Sequence, residues 1–400
     1  MSKQVQDAYI VAATRLPVGK RKGMFRTTRP DDMLAFALRS VLAQVPQIEP
    51  KLVGDVIVGC AMPEAEQGMN VARIGVLLAG LPDSVPGMTV NRFCASGVQA
   101  VAMAADRIRL GEADVMIAAG TETMSLMSQM MGNKVSLNPA VFDPDGNAAI
   151  GYGMGLTAEK VAQQWQVSRQ DQDAFAVESH RRATAAIAAG HFRAEITPYM
   201  VRSHLPDFGS NTVRIVEKLC ATDEGPRADS TLEALAKLRP VFATKGSVTA
   251  GNSSQMSDGA AAVVLVSEKM LKALNLAPLA RFAGFAVAGV PPEIMGIGPV
   301  RAIPKALDMA GLTLDRIGLI ELNEAFAVQA LAVIRHANLP LERVNVSGGA
   351  VALGHPLGCT GAKLTATILR EMERRNVEYG MVTMCIGGGQ GAAGIFERMN

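Results

Sequence analysis

Aromatic residues are scarce, 4% of the 400 residues with a single tryptophan, which argues against a stacked groove for single-stranded nucleic acid. Cysteine is sparse as well. Five, an odd number, occur without a C-x-x-C pair, so neither a disulfide framework nor a structural zinc site is expected, and a reducing compartment fits. Charge is nearly balanced at +2 and spread along the chain, leaving no electrostatic case for nucleic acid or an anionic membrane as partner. No apolar run is long enough for a membrane span. Met1–Ala12 lacks the basic-then-apolar pattern of a secretory leader, and the ending Glu397-Arg398-Met399-Asn400 is not a peroxisomal signal of the Ser-Lys-Leu type. A cytoplasmic protein is therefore expected.

What is present is small and apolar. Hydrophobic residues make up 49% of the chain, with 39 glycines, a mixture that suits helices packed closely on a sheet. The length predicts two or three domains or subdomains. Ala8–Ala13, Val53–Cys60, Met88–Val90 and Asp114–Ala119 read as buried strands separated by amphipathic patterns at Asp32–Val45 and from Ala95, an α/β alternation. From Thr121 the texture changes to a methionine-rich stretch (Met124, Met127, Met130, Met131), a long polar helical pattern at Thr157–Ala189 containing Trp165, and a Pro- and charge-bearing segment to Arg239. This reads as an insertion. Strands then resume at Gly259–Val266, Ala280–Val290, Ile317–Leu322, Arg343–Val346 and Met381–Cys385, with helices at Pro299–Ala310, Glu324–Ala337 and Gly361–Arg375. The last third repeats the layout of the first, which predicts two duplicated halves whose equivalent turns face one crevice.

Three stretches carry chemistry. In Asn91-Arg92-Phe93-Cys94-Ala95-Ser96-Gly97 a strand gives way to a helix with Cys94 on the turn. The free N–H groups and dipole of a first helical turn favour thiolate, so Cys94 is the candidate nucleophile, though an unpaired cysteine is as often a buried apolar residue. Gly348–Gly361 holds five glycines around His355, the partner that could take a thiol proton. His180, His191, His204 and His336 are read as structural. Met384-Cys385-Ile386-Gly387-Gly388-Gly389-Gln390-Gly391 places a second cysteine before glycines whose N–H groups suit an oxyanion pocket. Asn323, where a strand meets a helix, is a helix cap or a water holder. No G-x-x-x-x-G-K-[ST] motif is present. The Lys20-Arg21-Lys22 triplet is read as a solvated loop rather than a phosphate contact.

Taken together, Asn91-Arg92-x-Cys94-x-Ser96-Gly97, Asn323-Glu324-Ala325-Phe326, Gly354-His355-Pro356-x-Gly358 and Cys385-x-Gly387-Gly388-Gly389-x-Gly391 resemble, in order, the signature blocks of the thiolases. The resemblance spans essentially the whole chain. It implies a five-layered α-β-α-β-α fold of two duplicated halves, residues 1–121 plus 251–272 and residues 273–400, with 122–250 an inserted coenzyme A-binding loop domain. It implies thiolytic cleavage of a 3-ketoacyl-CoA, with coenzyme A as co-substrate and neither a permanent cofactor nor a metal. By matching motifs, Cys94 would attack, His355 would activate it, Cys385 would shuttle protons, Asn323 would hold a water, and the Cys94 and Gly387 N–H groups would hold the oxyanion. Arg227, Met154, Leu238, Phe242, Ser254 and Phe326 would contact coenzyme A, and Met295 would line the reacting end. Cys359 is assigned to packing.

Gly153 and Asn91-Arg92 resemble the degradative, broad-chain-length class of fatty-acid β-oxidation. The alternatives are an acetoacetyl-CoA thiolase in biosynthetic condensation and a non-catalytic lipid- or CoA-binding protein. A ketoacyl synthase would need a second histidine where Cys385 stands. A homodimer or homotetramer is expected, docked or not to other β-oxidation enzymes.

Overall fold

The structure is a computed structural model that describes residues 5–127 and 137–399. Met1, Met130, Met131 and Asn400 lie outside the described residues. In chain order the strands are β1 (Ala8–Arg15), β2 (Gly19–Lys20), β3 (Asp55–Gly59), β4 (Gly87–Val90), β5 (Val115–Thr123), β6 (Tyr199–Asp207), β7 (Thr212–Cys220), β8 (Ser257–Ser267), β9 (Ala280–Gly289), β10 (Ile317–Leu322), β11 (Tyr379–Ile386) and β12 (Gln390–Arg398). The helices are α1 (Pro30–Ala43), α2 (Val71–Leu78), α3 (Ser96–Arg109), α4 (Met154–Gln164), α5 (Arg169–Ala188), α6 (Leu232–Ala236), α7 (Glu268–Ala273), α8 (Gly298–Ala310), α9 (Ala327–His336), α10 (Ala350–Leu353) and α11 (Leu357–Arg375).

The main sheet runs β10-β11-β12-β9-β1-β8-β5-β3-β4, with β2 on β8. Its two sides are built alike. In the first, β1, β8 and β5 pair antiparallel in turn and β5 pairs parallel with β3. In the second, β9, β12 and β11 do the same and β11 pairs parallel with β10. The sides meet at β1 and β9 through Tyr9–Arg281 and Ile10–Ala280.

Strand residues alternate between two buried faces. Along β5, Val115, Ile117 and Ala119 pack with Leu34 and Leu38 of α1 and Val76 of α2. Met116 and Ala118 face the opposite way, into a cluster with Val101 of α3, Ile368 of α11 and Met384 of β11. Beyond the second half-sheet, Met381 and Ile395 meet Ile303 of α8 and Val333 of α9. The layers are therefore helices, half-sheet, α3 with α11, half-sheet, helices, as the thiolase resemblance implies. Being central, α11 is buried on every side from Gly358 to Leu369.

Its contact with α3 is made by backbone. A Cβ on Gly361 would lie 2.0 Å from the Val98 nitrogen, and one on Gly97 2.5 Å from the Ala362 nitrogen, so glycine is required on both helices.

Several elements differ from the sequence pattern. Thr157–Ala189 is two helices, α4 and α5, because Gln166 adopts φ 51° and the Ser168 hydroxyl caps α5 by accepting from the Asp171 N–H. Arg343–Val346 is not a strand. Asn345 turns to φ 47°, and its side chain takes the place of ladder bonds, accepting from the Leu322 N–H and donating to the Leu322 carbonyl, both at 2.8 Å. The helix read from Glu324 starts at Ala327, since Phe326 is extended. The helix read from Gly361 starts at Leu357. Strand β12, the β6–β7 ribbon and α2 carried too little periodicity to be read. Trp165 is half-buried, edge-on to His336 at 5.8 Å.

Gly361→Ala should lower stability to denaturant by about 3 kcal/mol or more, because the methyl meets backbone that cannot rotate away. A loss under about 1 kcal/mol would show that the helices do not touch in this way.

Candidate active site

The nucleophile turn closes β4 and opens α3. Phe93 adopts φ 43°, a costly conformation for a bulky residue. Its neighbours hold it there. The Asn91 side chain accepts from the Phe93 N–H at 2.8 Å and donates to the Ala61 carbonyl at 3.0 Å, while the Ser96 hydroxyl donates to the Phe93 carbonyl at 2.7 Å. This turn packs on α11 and β11, which brings Cys94 of the first half within electrostatic reach of Cys385 of the second.

The Gly387 N–H, from the glycine loop of the other half, and the N–H of Cys94 itself both favour the Cys94 thiolate. Burial outweighs them. The thiol is pushed up to about 11, chiefly by desolvation, which corrects the expectation that the helix terminus alone favours thiolate. Cys385 is fully buried and its thiol is raised well above its usual range, by burial first and then by a charge on Cys94. The two sulfurs thus feel each other, and only one is readily ionised at a time.

His355 sits in the glycine loop between α10 and α11. Its backbone N–H donates to the Gln255 carbonyl and to the Ser257 hydroxyl, each at 3.2 Å. Nδ1 lies 2.6 Å from the Thr360 hydroxyl, and Nε2 lies 3.4 Å from Asn323 Nδ2. With an amide nitrogen facing Nε2, that atom is the acceptor and Nδ1 carries the proton. The imidazole is pushed down to about 3 by burial and then by the Lys363 ammonium, so it rests neutral and can receive a proton. Asn323 is not a helix cap, since Phe326 holds the N-cap of α9. Its Oδ1 is buried without a hydrogen-bond partner among the described residues.

Two buried carboxylates fix these loops. Glu324 accepts from the Ser179 hydroxyl (2.7 Å), Asn345 (2.8 Å) and the Val351 N–H (3.1 Å). Glu122, at the end of β5, accepts from the N–H groups of Gly358 and Ala61, each at 2.8 Å, and from the Gln67 amide. Sequence reasoning missed Glu122 and Thr360. An acidic residue ending an apolar strand was the available signal for the first.

Of the residues read as binding coenzyme A or lining the reacting end, Met154 lies beside Gly387, and Met295 and Phe326 pack with Cys385. The Met154 sulfur lies 3.4 Å from where a Gly387 Cβ would be. Phe242 stacks edge-on to Phe326 at 6.1 Å and covers Gly155. Ser254 donates its N–H to the Ala325 carbonyl at 3.0 Å, and the next residues lead to Met256, bridged to His355. Met295 is buried beside Phe326 and Cys385. Arg227 and Leu238 line a cavity of about 320 Å³ with Gln255, Val351 and His180. His180, read as structural, accepts from the Arg227 N–H at 3.1 Å and is pushed down to about 4 by burial and then by Arg227. Its partner lies 47 positions away, so no local signal existed. Cys359 packs against Ala261 and Ala362. Among the described residues no group of three or more His, Cys, Asp or Glu could hold a metal ion.

Residues 8–269 match the family profile described as the thiolase N-terminal domain, and residues 276–398 match the thiolase C-terminal domain. The chain is 52% identical to a 3-ketoacyl-CoA thiolase of Bacillus subtilis, over 98% of this chain and 100% of that protein. It is 46% identical to the peroxisomal 3-ketoacyl-CoA thiolase A of Rattus norvegicus, over 98% and 88%. It is 45% identical to an acetyl-CoA acetyltransferase of Pseudomonas aeruginosa, over 97% and 98%. The crystal structure of the Bacillus anthracis acetyl-CoA acetyltransferase superposes with a TM-score of 0.89 at 39% identity, covering all of both chains.

Because the Cys94 thiolate fraction grows about tenfold per pH unit below the thiol pKa, alkylation of Cys94 by iodoacetamide should keep accelerating beyond pH 9. A plateau below pH 8 would mean a thiolate stabilised beyond the donors described.

Proposed function

The chain belongs to the thiolase family, and on that premise we propose that it is a degradative 3-ketoacyl-CoA thiolase, in which a cysteine of one half is acylated under control of groups from the other. It transfers acyl groups to coenzyme A, giving acetyl-CoA and a shortened acyl-CoA. The observation that carries the assignment of residues is that the Gly387 N–H favours the Cys94 thiolate while Cys385 feels a charge on Cys94, so groups of both halves act on one sulfur.

Cys94 attacks the 3-keto carbon while Nε2 of neutral His355 takes the thiol proton. The ketone oxygen, now an anion, is held by the N–H groups of Cys94 and Gly387. Cleavage of the carbon–carbon bond leaves an acetyl-CoA enolate, whose oxygen is met by protonated His355 and by a water held on the free Asn323 Oδ1. Cys385 protonates the enolate carbon. It then takes the proton of incoming coenzyme A, whose sulfur attacks the acyl-enzyme and releases Cys94 as a thiolate, to which His355 returns its proton. Burial makes each ion costly until a partner is in place, which suits proton transfers between neutral groups.

Coenzyme A itself is the co-substrate, and the insertion 122–250 is the part that binds it, between the first half (1–121 plus 251–272) and the second (273–400). Met154, Leu238 and Phe242 are apolar yet 37%, 38% and 40% exposed, as a surface for pantetheine would be. Arg227 meets the nucleotide phosphates, Ser254 the pantetheine amide, Phe326 the thioester arm and Met295 the reacting end. A Cβ at Gly153 would meet nothing within 4 Å, and this room beside Met154 favours longer acyl chains over acetoacetyl-CoA.

A homodimer forms along β4, an edge strand of the main sheet. Exposed Met69, Leu77 and Phe93 extend the apolar area there. A homotetramer and docking to other β-oxidation enzymes build on that unit. The five free thiols fit the cytoplasm, and among the described residues no helix is long and apolar enough to cross a membrane.

Purified protein mixed with a 3-ketoacyl-CoA and coenzyme A should consume the ketoacyl absorbance, and Cys94→Ala should reduce the rate by about three orders of magnitude or more. Unchanged turnover rejects the nucleophile. Across four- to sixteen-carbon substrates, kcat/KM should hold or rise with length, and Gly153→His should shift preference to four carbons; a steep four-carbon preference in the natural chain overturns the degradative assignment. Light scattering should give at least twice the chain mass, against a monomer.

A further inference from the structure

The oxyanion pair assigned above joins N–H groups from different halves, Cys94 from the turn after β4 and Gly387 from the glycine loop between β11 and β12. Something must hold these two turns in register, because Gly388 and Gly389 sit at φ 77° and 86°, and glycine-rich backbone has little stiffness of its own. On its own side the loop is fixed. The Val290 N–H donates to the Gly389 carbonyl at 2.7 Å, and the Gln390 carbonyl lies 2.1 Å from where a Gly298 Cβ would be.

Arg92 supplies a tie to the other half. Its Nη1 donates to Gln390 Oε1 at 3.0 Å, across 298 positions of chain, and its Nε donates to Gln99 Oε1 in α3 at 2.7 Å. Its backbone N–H donates to the Ser96 hydroxyl at 2.8 Å, the same hydroxyl that holds the Phe93 carbonyl. One planar guanidinium thus spans the nucleophile turn, the helix that follows it and the first residue of β12. The groups Arg92 ties are a hydroxyl and two amide oxygens placed on both sides of the site, so its influence is geometric.

We propose that Arg92, through Gln390, is a positioning residue that holds the Gly387 N–H opposite Cys94 and so presets the oxyanion pocket. The role rests on the acyl-transfer assignment above. Lysine is no equivalent, since a single ammonium cannot reach both glutamine oxygens in the plane that the guanidinium offers.

The test uses the full-length enzyme with Arg92→Leu, Arg92→Lys and Gln390→Leu, each checked for unchanged circular dichroism and oligomeric mass. Arg92→Leu and Gln390→Leu should each lower kcat by about tenfold to a hundredfold, the size of a displaced catalytic donor, with KM for both substrates within about twofold. Arg92→Lys should fall between, and the double variant should be no slower than the worse single one. A second readout does not need turnover. Losing the Gly387 donor should shift the pH profile of Cys94 alkylation to higher pH. An active natural enzyme whose variants fold but keep kcat, or lose it multiplicatively with a raised KM and an unmoved alkylation profile, overturns the clamp and leaves the acyl-transfer assignment standing. An inactive natural enzyme whose alkylation profile still moves overturns that assignment instead. Should Arg92→Leu fail to fold, Gln390→Leu alone decides by the same criteria.

Discussion

Backbone contact between α3 and α11 is the constraint on which the rest of the molecule depends. These helices come from opposite halves and fill the middle layer, and side chains at Gly97 or Gly361 would force them apart. Gly358, in the first turn of α11, comes equally close to the other half: its own Cβ would lie 2.6 Å from the Cys60 Cα, and its carbonyl faces Gly59 and Gly120. Such intimacy sets where the starts of both helices lie. The nucleophile turn precedes one of them and the histidine loop precedes the other, so the packing of the middle layer and the assembly of the site are one event.

The same packing controls the chemistry. The centre lies between the two half-sheets, and burial is the largest influence on the titration of Cys94, Cys385 and His355. The resting state is two thiols and a neutral imidazole, with no standing ion pair. Hydrogen-bond donors then matter more than they would in water. The Gly387 N–H, the Asn323 amide and the neighbouring loop anchors Glu122 and Glu324 are placed before any charge develops. Glu122 and Glu324 accept from backbone N–H groups and from neutral side chains, which stiffens the loops.

Much of this was legible in the sequence because its signals were local. Apolar runs marked most of the central strands, and the turns bearing Cys94, His355 and Cys385 announced themselves by glycine and by an abrupt change of period. The duplicated layout pointed to a shared crevice. What stayed hidden depended on distant partners. Gln390, Glu122, Thr360 and His180 acquire meaning only from residues elsewhere in the fold, and Asn345 imitates a strand with its side chain, so the pattern around Arg343–Val346 misled. The direction of the Cys94 shift could not be read either. A helix terminus is visible in sequence, whereas the desolvation that outweighs it is a property of the folded interior.

The central claim is that a sulfur from one half becomes acylated at a centre completed by the other. Peptide mass spectrometry of enzyme quenched after mixing with a 3-ketoacyl-CoA, with no free coenzyme A present, tests this most directly. The account predicts an acyl mass increment on the peptide carrying Cys94, discharged when coenzyme A is added. An increment on the Cys385 peptide instead, or turnover with no acylated peptide at any quench time, would contradict it.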